Sequence, residues 1–275
     1  MPSKFFLTLS VLLLITGGAV FAQTESPEKA NYSAYITSLE NYQKVHDEYN
    51  LARSQYLIFE TLKSKTVAQN SALEMLEARS TVVIDYLSFL KGKVESLEGV
   101  DTAKAVSTVS MLDDEIVWYS DHKSKLTSAL TLEDLLADSK QAEDHFEYTQ
   151  KVYYSSLSLI SDGVVGGNTE KLLILSQNLK NKLQTIKSDS NNVLSLEKTQ
   201  LIDRWVFESD ARIERIDGKR KDTEPLASKI MSSKTAGEPE KFYNKITPLL
   251  EEAKQYLAEA NSFLVEVVKE IKVSD

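Results

Sequence analysis

Residues 30–62 read ANYSAYITSLENYQKVHDEYNLARSQYLIFETL, and within them Tyr35, Tyr42, Tyr49 and Tyr56 recur at every seventh position. Ser38, Val45, Ala52 and Phe59 fall between the tyrosines, so the pattern advances by threes and fours. That spacing keeps one stripe of an α-helix turned toward a partner helix. The seam fails at Lys63, Thr66 and Asn70, then resumes at Leu73, Leu76, Ser80, Val83, Leu87, Leu90, Val94 and Leu97. Two readings fit residues 30–97. One is a hairpin with its turn in residues 64–71, where Ser71 and Glu74 form a capping box. The other is one unbroken helix about 100 Å long at about 1.5 Å per residue.

Helix-breaking residues are scarce along the rest of the chain. No proline lies between Pro27 and Pro225, and from Gln23 to Asp162 the only glycines are Gly92 and Gly99. A stretch so poor in turn residues cannot hold many tight turns, and Ala, Leu, Glu, Lys and Gln favour helix. Ser26-Pro27-Glu28 signals a helix start, as do Asp101 and the Thr131/Asp134 pair. Gly99 and Gly237-Glu238-Pro239 mark ends. Helical spacing returns at Leu172, Leu175, Leu179, Leu183 and Ile186, at Leu201, Ile202, Trp205, Ile213 and Ile216, and at Phe242, Ile246, Leu249, Ala253 and Leu257. Pro248 is expected to kink the last helix. The expected fold is all-α, an elongated bundle of long antiparallel helices with coiled-coil-like heptad seams.

Asp162-Gly163-Val164-Val165-Gly166-Gly167-Asn168 holds three glycines and reads as a loop, with Asn168 or Thr169 capping the helix that follows. The expected organisation is a signal peptide at residues 1–22, a long-helix region at 23–161, a glycine-rich loop at 162–168 and a second helical region at 169–275 packed on or following the first. The signal-peptide reading rests on Lys4, an uncharged apolar run from Phe5 to Phe21, and small residues in Val20-Phe21-Ala22, with cleavage after Ala22. Its rival is an uncleaved anchor, because the apolar run approaches the length that spans a bilayer. The expected location is therefore secreted, periplasmic or cell-envelope, or else membrane-anchored through the retained segment. A mature chain would have no transmembrane helix.

The 275 residues carry a formal net charge of -9 and no cysteine. An acidic surface argues against nucleic-acid partners. Without cysteine there is no disulfide framework, thiolate metal site or cysteine nucleophile. His46, His122 and His145 are preceded three residues earlier by Gln43, Tyr119 and Ala142, so the Glu-x-x-His signature of helical di-iron sites is absent. Each histidine reads as a surface or seam residue. Asp113-Asp114-Glu115 and Glu143-Asp144 read as solvated helix faces, since neighbouring helical residues point apart. Asp189-Ser190-Asn191-Asn192 lacks the glycine and closing glutamate of a calcium loop. Lys219-Arg220-Lys221 is interleaved with acids and reads as an ion-paired surface. No Gly-x-Ser-x-Gly elbow occurs.

These patterns point away from an enzyme and imply no cofactor or metal. The functional expectation is an exported scaffold, adaptor or spacer working by protein–protein contact, with a protein partner or a second copy on its seams. The alternative is an extracytoplasmic ligand-binding or sensor module that holds a small or amphiphilic ligand between helices, using Tyr35, Tyr42, Tyr49, Tyr56, Trp118 and Trp205. The candidate interaction face is the ladder of Tyr35, Tyr42, Tyr49 and Tyr56, which the heptad spacing equally assigns to a core.

Overall fold

The computed structural model describes residues 27–126, 131–188 and 194–272. They form six α-helices with no strand among them: α1 (Pro27–Phe59), α2 (Leu62–Glu95), α3 (Thr102–Leu126), α4 (Leu132–Ser188), α5 (Leu196–Met231) and α6 (Glu238–Lys272). The presequence at 1–22 and the polar connection at 189–192 lie outside the described residues. Among the described residues no helix is long and apolar enough to cross a membrane.

Residues 30–97 are a hairpin rather than one helix. The reversal comes at Glu60, whose φ of 47° is left-handed, earlier than the turn expected at 64–71. Thr61 and Ser64 form the capping box there. The Ser64 N–H donates to Thr61 Oγ1, and the Thr61 N–H donates to Ser64 Oγ, each at 3.1 Å. A serine stands where this motif usually carries Glu or Gln. Ser71 and Glu74 instead lie within α2.

Helix α2 buries two faces. Ala78 and Val82 meet Tyr35 and Tyr42 of α1. Leu87, Leu90 and Val94 pack with Leu112 and Tyr119 of α3 and with Val152 and Ile160 of α4. The first part of α4 thus closes a three-helix core with α2 and α3, and α1 packs on the other face of α2 to complete the first bundle. Its second part enters another bundle, in which Leu172 packs with Ile213, Ala260 and Leu264, and Leu183 packs with Ile202 and Val267. Helix α5 runs antiparallel to α4, with Asp162 meeting Arg220, Lys180 meeting Asp210 and Lys187 meeting Asp203.

One helix therefore serves both bundles. At 57 residues, α4 spans about 85 Å at about 1.5 Å per residue. This corrects the reading of residues 162–168 as a glycine loop, because they are helical throughout. Asn168 Nδ2 and Thr169 Oγ1 donate back to the carbonyls of Val164 and Val165, both at 2.8 Å, instead of capping a new helix. The glycines admit a neighbour. The α2–α3 connection lies against them, and a Cβ on Gly163 would stand 2.7 Å from Val100 Cγ1, while one on Gly166 would overlap the Gly99 carbonyl. Glycine in a helix costs about 1 kcal/mol relative to alanine, and close packing of the connection offsets that cost. Helix α5 similarly continues through Gly218 and Pro225. The boundary at Gly237 (φ 82°) falls where expected.

Several contacts join the bundles, among them the Lys104–Glu224 and Lys171–Glu98 ion pairs. Arg220 of α5 donates from Nε and NH2 to the two carboxylate oxygens of Asp162 at 2.8 and 3.0 Å, and from NH2 to the Gly99 carbonyl at 3.2 Å. That carboxylate holds the guanidinium charged even more firmly than usual. On α4, Tyr153 lies against Tyr86 of α2 while Tyr154 lies against Tyr243 of α6, with ring centroids 5.5 Å apart in each pair.

Candidate functional site

The tyrosine ladder runs from a buried base to an exposed end. Tyr35 and Tyr42 are buried, whereas Tyr49 and Tyr56 are half-buried. Tyr35 packs on Tyr86 with centroids 4.8 Å apart, and burial pushes its phenol up to about 12. Tyr49 packs among Ala72, Leu73, Leu76, Leu126 and Leu135. Beyond that level, Ala52 of α1 and Ala68 of α2 are buried. Small side chains at this neck let the two backbones approach closely.

Past the neck, the hairpin end carries large apolar side chains that stand open among the described residues: Leu57 is 60% exposed, Ile58 72%, Phe59 64% and Leu62 83%. Leu126, the last residue of α3, packs at the level of Ala72 and Leu76. Leu62 lies ten positions earlier in α2 than Ala72, so the hairpin projects beyond this level by about 15 Å at about 1.5 Å per residue. Arg53, Lys63 and Lys65 surround the apolar end and are exposed or half-exposed. The two helices end here because Glu60 breaks α1 and Thr61 caps α2. Large apolar groups grouped at a projecting point are unusual on a self-contained surface.

A second cluster lies between α3 and α4. His145 stacks on the Trp118 indole, with centroids 3.6 Å apart and planes 8° from parallel, and His122 stacks on the indole at 5.0 Å. His145 Nε2 donates to both oxygens of Glu115 at 3.1 Å, and the Thr149 hydroxyl donates to Glu115 Oε2 at 2.6 Å. Tyr119 supplies the next link, its hydroxyl lying 3.1 Å from Thr149 Oγ1. Burial pushes the Tyr119 phenol up to about 12 and pushes the His122 imidazole below its ordinary value. His122 Nε2 donates to the Asp138 carbonyl at 3.1 Å, while buried Nδ1 has no partner among the described residues.

This arrangement corrects the reading of Asp113-Asp114-Glu115 as a solvated face. Glu115 is buried, and only its partners across α4 make that tolerable. The relationship was hidden because His145 and Thr149 stand thirty or more positions away. Glu115, Tyr119 and Thr149 are all buried, and Thr149 links the other two by hydrogen bonds. Such a network fixes the register of α3 on α4. No group of three or more His, Cys, Asp or Glu suited to a metal occurs among the described residues.

The remaining candidates are dispersed. His46 lies beside Tyr42 at 5.5 Å and pairs with Asn50 at 3.2 Å. Trp205 packs in the second bundle near Ile202 and Val267, so it shares no cavity with Trp118 or the tyrosines. Lys219 pairs with Glu252 and Arg220 with Asp162. An open apolar groove of about 410 Å³ lies where α2 ends and α3 begins, lined by Val94, Leu97, Val100, Ala105, Val106 and Val109, with Glu95 at its edge. The chain matches no protein-family model, no curated protein and no solved structure.

Proposed function

We propose that this chain is an exported helical scaffold or spacer that acts by protein–protein contact outside the cytoplasm and catalyses no reaction of its own. The observation that carries this reading is the apolar end of the α1–α2 hairpin. Leu57, Ile58, Phe59 and Leu62 stay in water there although the same helices bury Tyr35, Tyr42, Leu76 and Leu87. Exposing such side chains is unfavourable by about 25 cal/mol per Å², and a docked partner recovers that energy. The length of α4 suits a spacer, since one rigid element separates the bundles' far ends. Export is supported by the presequence pattern of Lys4, the apolar run and Ala22.

A photoreactive phenylalanine analogue at Phe59, with Gln184 as a control position, tests the docking role. Irradiation in the producing cells is expected to give adducts from position 59 that map to one defined segment of a partner, and none from position 184. A position 59 that yields no specific adduct would sink the reading. Sequencing the mature N-terminus tests export, with Gln23 expected as the first residue and Met1 contradicting it.

A further inference from the structure

Resting on the reading of the hairpin end as a docking element, we propose its occupant: the α2–α3 groove of a second copy of this chain. The apolar surfaces correspond. Ile58 and Phe59 project from the hairpin end, and the groove offers Val106, 64% exposed, flanked by half-buried Leu97, Val100, Ala105 and Val109. The charges correspond as well. Arg53, Lys63 and Lys65 make no ion pair among the described residues, and the groove edge carries Glu95, with exposed Asp101 in the adjoining connection, where Glu98 is already paired with Lys171 at 2.9 Å. Glu95 is held only by Lys91 at 3.9 Å, and its side chain is half exposed.

The hairpin end cannot reach its own groove. Leu62 and Val94 stand at opposite ends of α2, about 48 Å apart at about 1.5 Å per residue. The contact is therefore head to tail, and the joined pair keeps one free end and one free groove between its two copies, so the assembly grows without closing. Its area falls below the roughly 1,200 Å² of a standard interface, which makes it weak and reversible.

Sedimentation of the purified chain from about 1 μM to about 1 mM, a range suited to small interfaces, tests the proposal. Wild type is expected to grow progressively with concentration. Phe59→Asp, which spoils the end, and Val106→Asp, which spoils the groove, are each expected to remain monomeric, with circular dichroism unchanged. An equimolar mixture of the two variants is the decisive arm, since one brings an intact groove and the other an intact end. Dimers without larger species support the head-to-tail pairing. A wild type that stays monomeric, or a mixture that does, overturns it. If wild type is monomeric while a photoprobe at Phe59 captures a different protein, this pairing fails and the docking role of the hairpin end stands; if it captures nothing, both fail.

Discussion

Gly99 and Gly167 sit back to back. Gly99 has a φ of 74°, and a Cβ on it would overlap the Gly167 backbone nitrogen. Neither side can yield, because α4 is held by its own hydrogen bonds and the connection by Arg220. Gly99→Ala is expected to cost about 3 kcal/mol or more, a clash added to left-handed strain. For a chain of this size that lowers Tm by about 8 °C. Gly218 gives the opposite sign. It lies inside α5 with nothing within 4 Å of its Cβ position, so Gly218→Ala is expected to raise stability by about 1 kcal/mol through helix propensity. Calorimetry of the two variants side by side checks both signs, and equal effects would contradict the packing described.

The ladder should respond according to depth. Tyr35→Ala removes a buried ring and is expected to cost about 3 kcal/mol or more. Tyr56→Ala, at the half-buried end, should cost under about 1 kcal/mol. Tyr35→Phe has its own direction. The Tyr35 hydroxyl is buried without a partner among the described residues, and removing it is expected to leave stability unchanged or raise it by up to about 1 kcal/mol. Urea titration of the three variants resolves these differences.

At the hairpin end, Ile58→Ser with Phe59→Ser should leave the unfolding midpoint unchanged, since both side chains are exposed and surface changes usually fall within about 0.5 kcal/mol. A large loss of stability would mean that these side chains are packed in solution.

Glu115→Ala leaves His145 and Thr149 without their shared acceptor. The expected cost is about 3 kcal/mol, and Glu115→Gln, which keeps the shape, should cost less. Near-ultraviolet circular dichroism reports the same event, because Trp118 stacks on His145.

His122 makes stability depend on pH. Burial, its first cause, lowers its pKa from 6.5 in the folded chain, with Arg79 and Lys125 acting in the same direction and the Asp138 carbonyl opposing. Below pH 6.5 the unfolded chain takes up the proton before the folded one does. Stability is therefore full above that value and falls as pH drops toward the folded pKa, by at most about 1.4 kcal/mol per pH unit. Melting curves from pH 7.5 to pH 5.5, a span chosen around the ordinary histidine value, should show this loss in wild type and a smaller one in His122→Gln. A profile identical in the variant would contradict it.

Local signals in the sequence located several boundaries. Asp101 accepts from the Lys104 N–H at 3.0 Å, and Thr131 and Asp134 bond reciprocally at 2.9 and 3.1 Å, as their spacing implied. Gly163, Gly166 and Gly167 misled because glycine serves two purposes. In a turn it supplies backbone freedom, and in a helix it supplies room, here for the α2–α3 connection. Only the neighbour distinguishes the two, and that neighbour lies more than sixty residues away in the chain. Glu115 was misread for the same reason, since its buried partners belong to another helix. The exposure of Leu57, Ile58, Phe59 and Leu62 was equally invisible, because periodicity marks a seam without stating where its partner stops.

The claim that most depends on measurement is that α4 continues unbroken through Gly163, Gly166 and Gly167. The chain has no native cysteine, so spin labels can be placed singly at Gln141→Cys and Asn181→Cys, both exposed sites on α4. Pulsed dipolar spectroscopy should then give one narrow distance near 60 Å, the span of forty helical residues at about 1.5 Å each. A broad distribution, or a mean below about 45 Å, would show that the chain bends at the glycines, and the single spine joining the two bundles would be contradicted.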